Sequence, residues 1–193
     1  MKFNRVLNFG FTLIELMVTV ALIAIMLALA APSMTAFQRN AELTSFTNSM
    51  LASINAARGE AMKRGRYAMV VPADGTDWNS GWVVFLDVDR SQTYAEASDI
   101  TISAREAAPS YLSISANGPA AATPPYIMFD ASGYSKTKAA AFGANTFEIK
   151  RNDVSGTDQL TQTRRIKIAS TGRVRICTPT SSTDTQCSAT VSD

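Results

Sequence analysis

The sequence predicts an α+β protein, a long N-terminal helix in two chemically different halves packed on an antiparallel β-sheet domain. Three observations carry this. From Phe11 to Ala31 the chain is apolar except for Thr12, Glu15 and Thr19, close to the ~20 residues that cross a hydrocarbon core as a helix. From Pro32 to Gly65 apolar residues recur at helical spacing. From Arg66 onward the pattern changes to short runs of β-branched and aromatic residues bounded by turn formers. Helix first and strands afterwards place the helix over one face of a sheet or pair of sheets.

In the first half, Lys2 and Arg5 precede the apolar run without an acid between them. The positive-inside rule keeps such a flank cytoplasmic and sends the body outside. An ordinary secretory signal is the alternative, with Ala28-Leu29-Ala30 as an A-x-A cleavage site. Glu15 fits that alternative badly, because a carboxylate at depth costs ~2.5–3.5 kcal/mol and is normally kept for a partner and a role.

The second half is amphipathic. Phe37, Leu43, Phe46, Met50, Ile54, Ala57 and Ala61 form an apolar stripe, with Gln38, Arg39, Asn40, Glu42, Asn48 and Asn55 between them. Lys63, Arg64 and Arg66 surround Gly65, cations and a glycine where a helix ends. One helix from about Phe11 to Lys63, bent at Pro32, is the expectation.

The strand-like runs are "YAMVV", "GWVVFLDV", "ITISA", "YLSIS", "YIMFD", "TFEIK", "RRIKIAS" and "RVRIC". Segments 87–99 and 116–124 read as loops. Trp78 and Trp82 bracket a turn and suit core packing better than an exposed patch.

At 193 residues the chain can build one domain with a real core. Its 18 basic and 16 acidic residues nearly balance, so bulk charge points to no polyanion. The absence of histidine removes His-based triads and most His/Cys zinc sites. No Gly-rich phosphate loop or nucleophile elbow occurs, so neither an enzyme nor a cofactor is expected. Acids gather between Asp74 and Glu106, where "DVDRS" starts like a calcium loop. It lacks the glycine at the sixth position and the glutamate at the twelfth, so no metal site is expected.

Near the C-terminus "TRRIKIASTGRVRIC" reads as strand, turn, strand. Alternation puts Ile166, Ile168, Val174 and Ile176 on core faces and Arg165, Lys167, Arg173 and Arg175 on the opposite ones. Like charges facing each other destabilise a strand pair. Without an acid between Arg164 and Cys177, the cations therefore suggest either a missing anion or a charged face that keeps the sheet soluble. A DNA backbone or an acidic neighbouring subunit would supply the anion. Cys177 and Cys187, with no further thiol or imidazole, read as one disulfide formed in an oxidising compartment. Closing that loop should stabilise by ~3 kcal/mol.

"GFTLIELMVTVALIAIMLALAAP" resembles the class III leader junction of type IV pilins and type II secretion pseudopilins. "ARGEAMKRGRYAMVV", "WNSGWVVFLD", "YIMFDASGY" and "IASTGRVRIC" are similar to the GspH/FimT (FimU-like) family of minor pilins and minor pseudopilins. The resemblance implies the type IV pilin-like fold, with residues 1–10 a leader and 11–31 a transmembrane helix. Residues 32–65 become the amphipathic helix, and 66–193 a β-rich periplasmic domain with a C-terminal disulfide loop. It implies that a prepilin peptidase cuts between Gly10 and Phe11 and methylates Phe11, leaving a single-pass inner-membrane protein that joins major and minor pilins in a filament.

Cleavage there would create an ammonium on Phe11 one helical turn from Glu15. In a stacked filament the carboxylate of one subunit could neutralise the terminal amine of its neighbour, with the low dielectric strengthening the pair. Tolerance of a carboxylate by the helix dipole is the plainer reading. The function implied is pilus assembly or priming, with a tip role. DNA-binding relatives in natural transformation use a G-R-x-R motif, which Gly172, Arg173 and Arg175 match, so double-stranded DNA is a further candidate partner. A minor pseudopilin of type II secretion shares every one of these motifs.

Overall fold

A computed structural model describes residues 10–190, without the side chains of residues 30–32. The basic flank at Lys2 and Arg5, and the side chain of Pro32 where a bend is expected, lie outside the described residues.

Helix α1 runs from Leu13 to Arg64. Thr12 caps its start: the Thr12 hydroxyl accepts from the Glu15 amide at 3.3 Å, satisfying one of the free N–H groups of the first turn. At the other end Lys63 and Arg64 both bind Glu60, at 3.1 and 2.6 Å. Gly65 then adopts φ +63°, and the Arg66 amide returns to the Ala61 carbonyl at 3.2 Å, a Schellman-type stop.

The chain divides into two compact units, Met1–Asn40 and Ala41–Asp193. In the first, the large apolar side chains from Phe11 to Leu29 are all exposed, Phe11 by 78 %. Among the described residues no single helix is long and apolar enough to cross a membrane; Leu13–Leu29 and Ser33–Arg64 meet that length and composition only as a pair.

In the second unit, Leu43, Phe46, Met50, Ile54, Ala57 and Ala61 are buried, the stripe that helical spacing predicts. Phe37 belongs to the same stripe but lies in the first unit, where it is exposed.

The strands are β1 (Ala68–Pro72), β2 (Trp82–Leu86), β3 (Ile100–Arg105), β4 (Leu112–Asn117), β5 (Ile127–Phe129), β6 (Ser135–Lys136), β7 (Asn145–Arg151), β8 (Thr163–Ile168) and β9 (Val174–Cys177). They make two antiparallel sheets, ordered β3-β2-β1-β5-β6 and β4-β7-β8-β9. Helix and both sheets share one core, in which Phe46 meets Trp82 edge-on at 5.3 Å and Trp78 meets Phe147 at 4.9 Å. Both tryptophans are therefore core residues. The Trp78 indole also donates to the Ala120 carbonyl at 2.8 Å.

Three stretches depart from the sequence reading. Segment 116–124 is more ordered than a plain loop: β4 extends to Asn117 and a 3₁₀ turn covers Gly118–Ala121. Side-chain amides explain this, since Asn145 accepts from the Ala120 amide at 2.8 Å and Asn117 from the Thr146 amide at 2.9 Å. Strand β6 and the short helix α2 (Thr157–Thr161) were also unmarked in the sequence.

Candidate functional site

At the start of α1, Gly10, Phe11 and Glu15 are all exposed. Thr12 at the cap and Glu15 three residues on have the spacing of a capping box, a signal that "TLIE" displays in the sequence. A carboxylate in the first turn also faces the positive end of the helix dipole. The acid thus sits at the one place on an apolar helix where the backbone itself favours a negative charge. Around it, from Leu13 to Leu29, side chains of high apolar area lie open to whatever surrounds the helix.

The second candidate is the outer face of the β4-β7-β8-β9 sheet. Strands β8 and β9 place Lys167 directly opposite Arg175. Ile166 and Ile168 point into the core, as alternation predicts. The cations, however, are not an uncompensated surface. Arg165 forms a two-pronged ion pair with Glu148 of β7, at 2.8 Å from Nε and 2.5 Å from Nη2. No acid lies between Arg164 and Cys177, but the neighbouring strand supplies one.

The C-terminal segment covers the rest of that face. Cys177 and Cys187 form a disulfide, their Cα atoms 5.8 Å apart. From Gln186 onward the chain meets each strand in turn. The Arg175 guanidinium donates to the Gln186 carbonyl at 2.8 Å, Arg165 donates to the Cys187 carbonyl, and the Lys167 ammonium donates to the Ser188 hydroxyl at 3.0 Å. Thr146 donates to the Thr190 carbonyl at 3.4 Å, and Asn117 to that of Ala189.

Lys167 is consequently buried, 2 % exposed. Burial, then the charges of Arg175 and Arg165, push its ammonium below the usual lysine value. Arg173 lies before β9, in the turn, and is exposed. Of the four cations expected to share one surface, Arg165, Lys167 and the half-buried Arg175 are engaged and Arg173 is open.

Gly172 has a packing reason of its own. It adopts φ +79°, and a Cβ there would lie 1.9 Å from the Gly133 carbonyl oxygen, which also accepts from Arg58 Nε at 2.9 Å.

A third cluster joins the end of β2 to the loop before β3. Asp87, Asp89 and Asp99 each offer a carboxylate oxygen, all within 4.8 Å of one another. Sequence spacing showed the first two acids but not the third.

Residues 47–172 match the family described as Type II transport protein GspH, and residues 7–31 match the prokaryotic N-terminal methylation motif. Two crystal structures of the Pseudomonas aeruginosa (strain PAO1) type IV minor pilin FimU are similar. The one in space group P21 has a TM-score of 0.52 at 21 % identity, over 75 % of this chain and 93 % of that one. The one in P65 has a TM-score of 0.45 at 19 % identity, over 74 % and 92 %. The first shows that the fold is that of a type IV pilin-like domain. No curated protein matches the chain in sequence. The family match ends at Gly172, so Arg173, Arg175 and the disulfide segment lie beyond it.

Proposed function

Because the chain belongs to the GspH family of pilin-like proteins, we propose that it is a minor pilin of a type IV pilus that takes part in assembly or priming of the filament. In this reading a prepilin peptidase cuts between Gly10 and Phe11 and methylates Phe11. Residues 11–31 then anchor the chain in the inner membrane, with residues 66–193 on the periplasmic side.

One observation carries the proposal: a capped helix start bearing Glu15 on an otherwise apolar, fully exposed stretch, in the same chain as a GspH domain. Exposed apolar area on this scale is stabilised in lipid or against similar helices. Phe11 would carry the new ammonium close to Glu15. In the membrane each charge is costly alone, so a neighbouring subunit's amine and this carboxylate stabilise each other when the helices are in register. A wrong register leaves both unpaired.

A minor pseudopilin of type II secretion is the second reading, favoured by the description of the matching family. Deleting the gene separates them: loss of piliation supports the pilus role, and loss of protein secretion with pili intact supports the other. DNA capture by Arg173 and Arg175 has less support, because Arg165 and Lys167 are already engaged within the protein.

Intact-mass analysis of the membrane form tests the processing step. The expected mass is that of a chain starting at N-methylated Phe11. A chain starting at Ala31, as a secretory signal would leave, contradicts it.

A further inference from the structure

Three carboxylates converge in the loop between β2 and β3. Asp87 is completely buried, Asp99 nearly so, and Asp89 opens to solvent. Among the described residues none of them forms an ion pair. The Arg66 guanidinium donates to the Val88 carbonyl at 2.8 Å instead.

Backbone amides fix each group from outside. Gln92 donates to Asp87 Oδ2 at 3.2 Å, Ser91 to Asp89 Oδ1 at 2.9 Å, and Val88 and Ala95 to the two oxygens of Asp99 at 3.1 and 2.9 Å. That leaves Asp87 Oδ1, a buried acceptor with no hydrogen-bond partner among the described residues. A buried acceptor without a donor is rare and calls for an unseen partner. A cation would satisfy that acceptor and at the same time offset the mutual repulsion of the three carboxylates, which a neutral water cannot do.

We propose that Asp87, Asp89 and Asp99 bind a calcium ion. The donor set is all hard oxygen, which suits calcium or magnesium and not a softer transition metal. Oxygens up to 4.8 Å apart match a cation bonded at about 2.3–2.6 Å, the calcium range, whereas magnesium requires a tighter octahedron. Asp89 at the solvent edge leaves room for the water that completes a calcium shell of six to eight oxygens.

The loop also replaces the two features that its sequence lacks. Gln92, in the sixth place counted from Asp87, adopts φ +57°, the left-handed turn that glycine normally supplies there. Asp99, in the thirteenth place, provides the closing carboxylate that a glutamate in the twelfth would give.

The test is calorimetric titration of the full-length chain in detergent micelles, after removal of divalent ions with EDTA, with calcium chloride and magnesium chloride separately. One calcium per chain is expected, with a Kd on the order of 10⁻⁴–10⁻³ M as in extracellular modules, a calcium-dependent rise in Tm, and much weaker magnesium binding. Asp89→Asn, at an exposed position, should melt like the parent in EDTA and bind calcium at least tenfold more weakly. Asp87→Asn, which keeps the shape but removes the buried charge, should lose the calcium-dependent rise in Tm.

Absence of binding up to roughly 10 mM calcium, well above that range, would overturn the proposal and point to a proton held between the acids. Calcium binding unchanged in both variants, or magnesium binding as tight as calcium, would overturn it equally. None of these outcomes depends on the filament role.

Discussion

Gly172 shows how a motif residue can have a local cause. A β-carbon there would collide with the Gly133 carbonyl, and the backbone is already in the left-handed region. Gly172→Ala should therefore lower the unfolding free energy by ~1–3 kcal/mol, the usual cost of such strain. Denaturant unfolding checks this, and a change below about 0.5 kcal/mol, the scale of an ordinary surface substitution, would refute the packing role. The turn itself was legible, since "STG" between two alternating runs marks a reversal. The collision partner was not, because Gly133 lies in another hairpin and only folding brings it near. The Glu148 pairing is hidden in the sequence for the same reason: Glu148 is adjacent to Arg165 across β7 and β8 but seventeen residues away along the chain.

Elements with their own period were the most legible. Six of the apolar positions spaced along α1 point into the core, since a helix fixes which residues share a face. Periodicity does not tell where the supporting domain stops, which is why Phe37 keeps the pattern without the burial. Strand β6 has two residues, too few for any alternation, and is set by its pairing with β5 and by the Ser135 amide donating to the Ser170 carbonyl at 3.0 Å.

The disulfide loop was opaque because "TPTSSTDTQ" has neither period nor core. Its organiser is Asp184. The Thr180 amide and hydroxyl donate to one of its oxygens at 3.0 and 2.9 Å, and the Gln186 and Cys187 amides to the other at 2.9 and 3.0 Å. The Thr180 amide, followed by that of Cys187, holds the carboxyl down to about 2 from an ordinary 3.8.

A depressed carboxyl favours the folded loop above pH 3.8, and that contribution is lost as the pH falls through 3.8 towards 2. Carboxyl-carbon NMR should give a midpoint near 2 for Asp184, with the Gln186 and Cys187 amide shifts moving together. A midpoint at the ordinary value would contradict this arrangement.

At the scale of the whole molecule, the fold class was legible because the hydrophobic period switches once, from helical to alternating, at the end of α1. The N-terminal methylation motif was legible because its signal is contiguous in the chain. The outer sheet face was not, since its character depends on a tail that returns over all four strands and on an acid from a neighbouring strand. What alternation made an open cationic patch is largely an internal polar layer, with Arg173 left outside it.

The surface with most to gain from association is therefore the exposed apolar helix start. Its one acid should decide whether neighbouring helices lock in register. Filament incorporation of Glu15→Ala, measured against the parent chain in cells making equal amounts of membrane-inserted protein, tests this most directly. The account predicts normal insertion with incorporation lost; a variant found in filaments at the parent's level would contradict it.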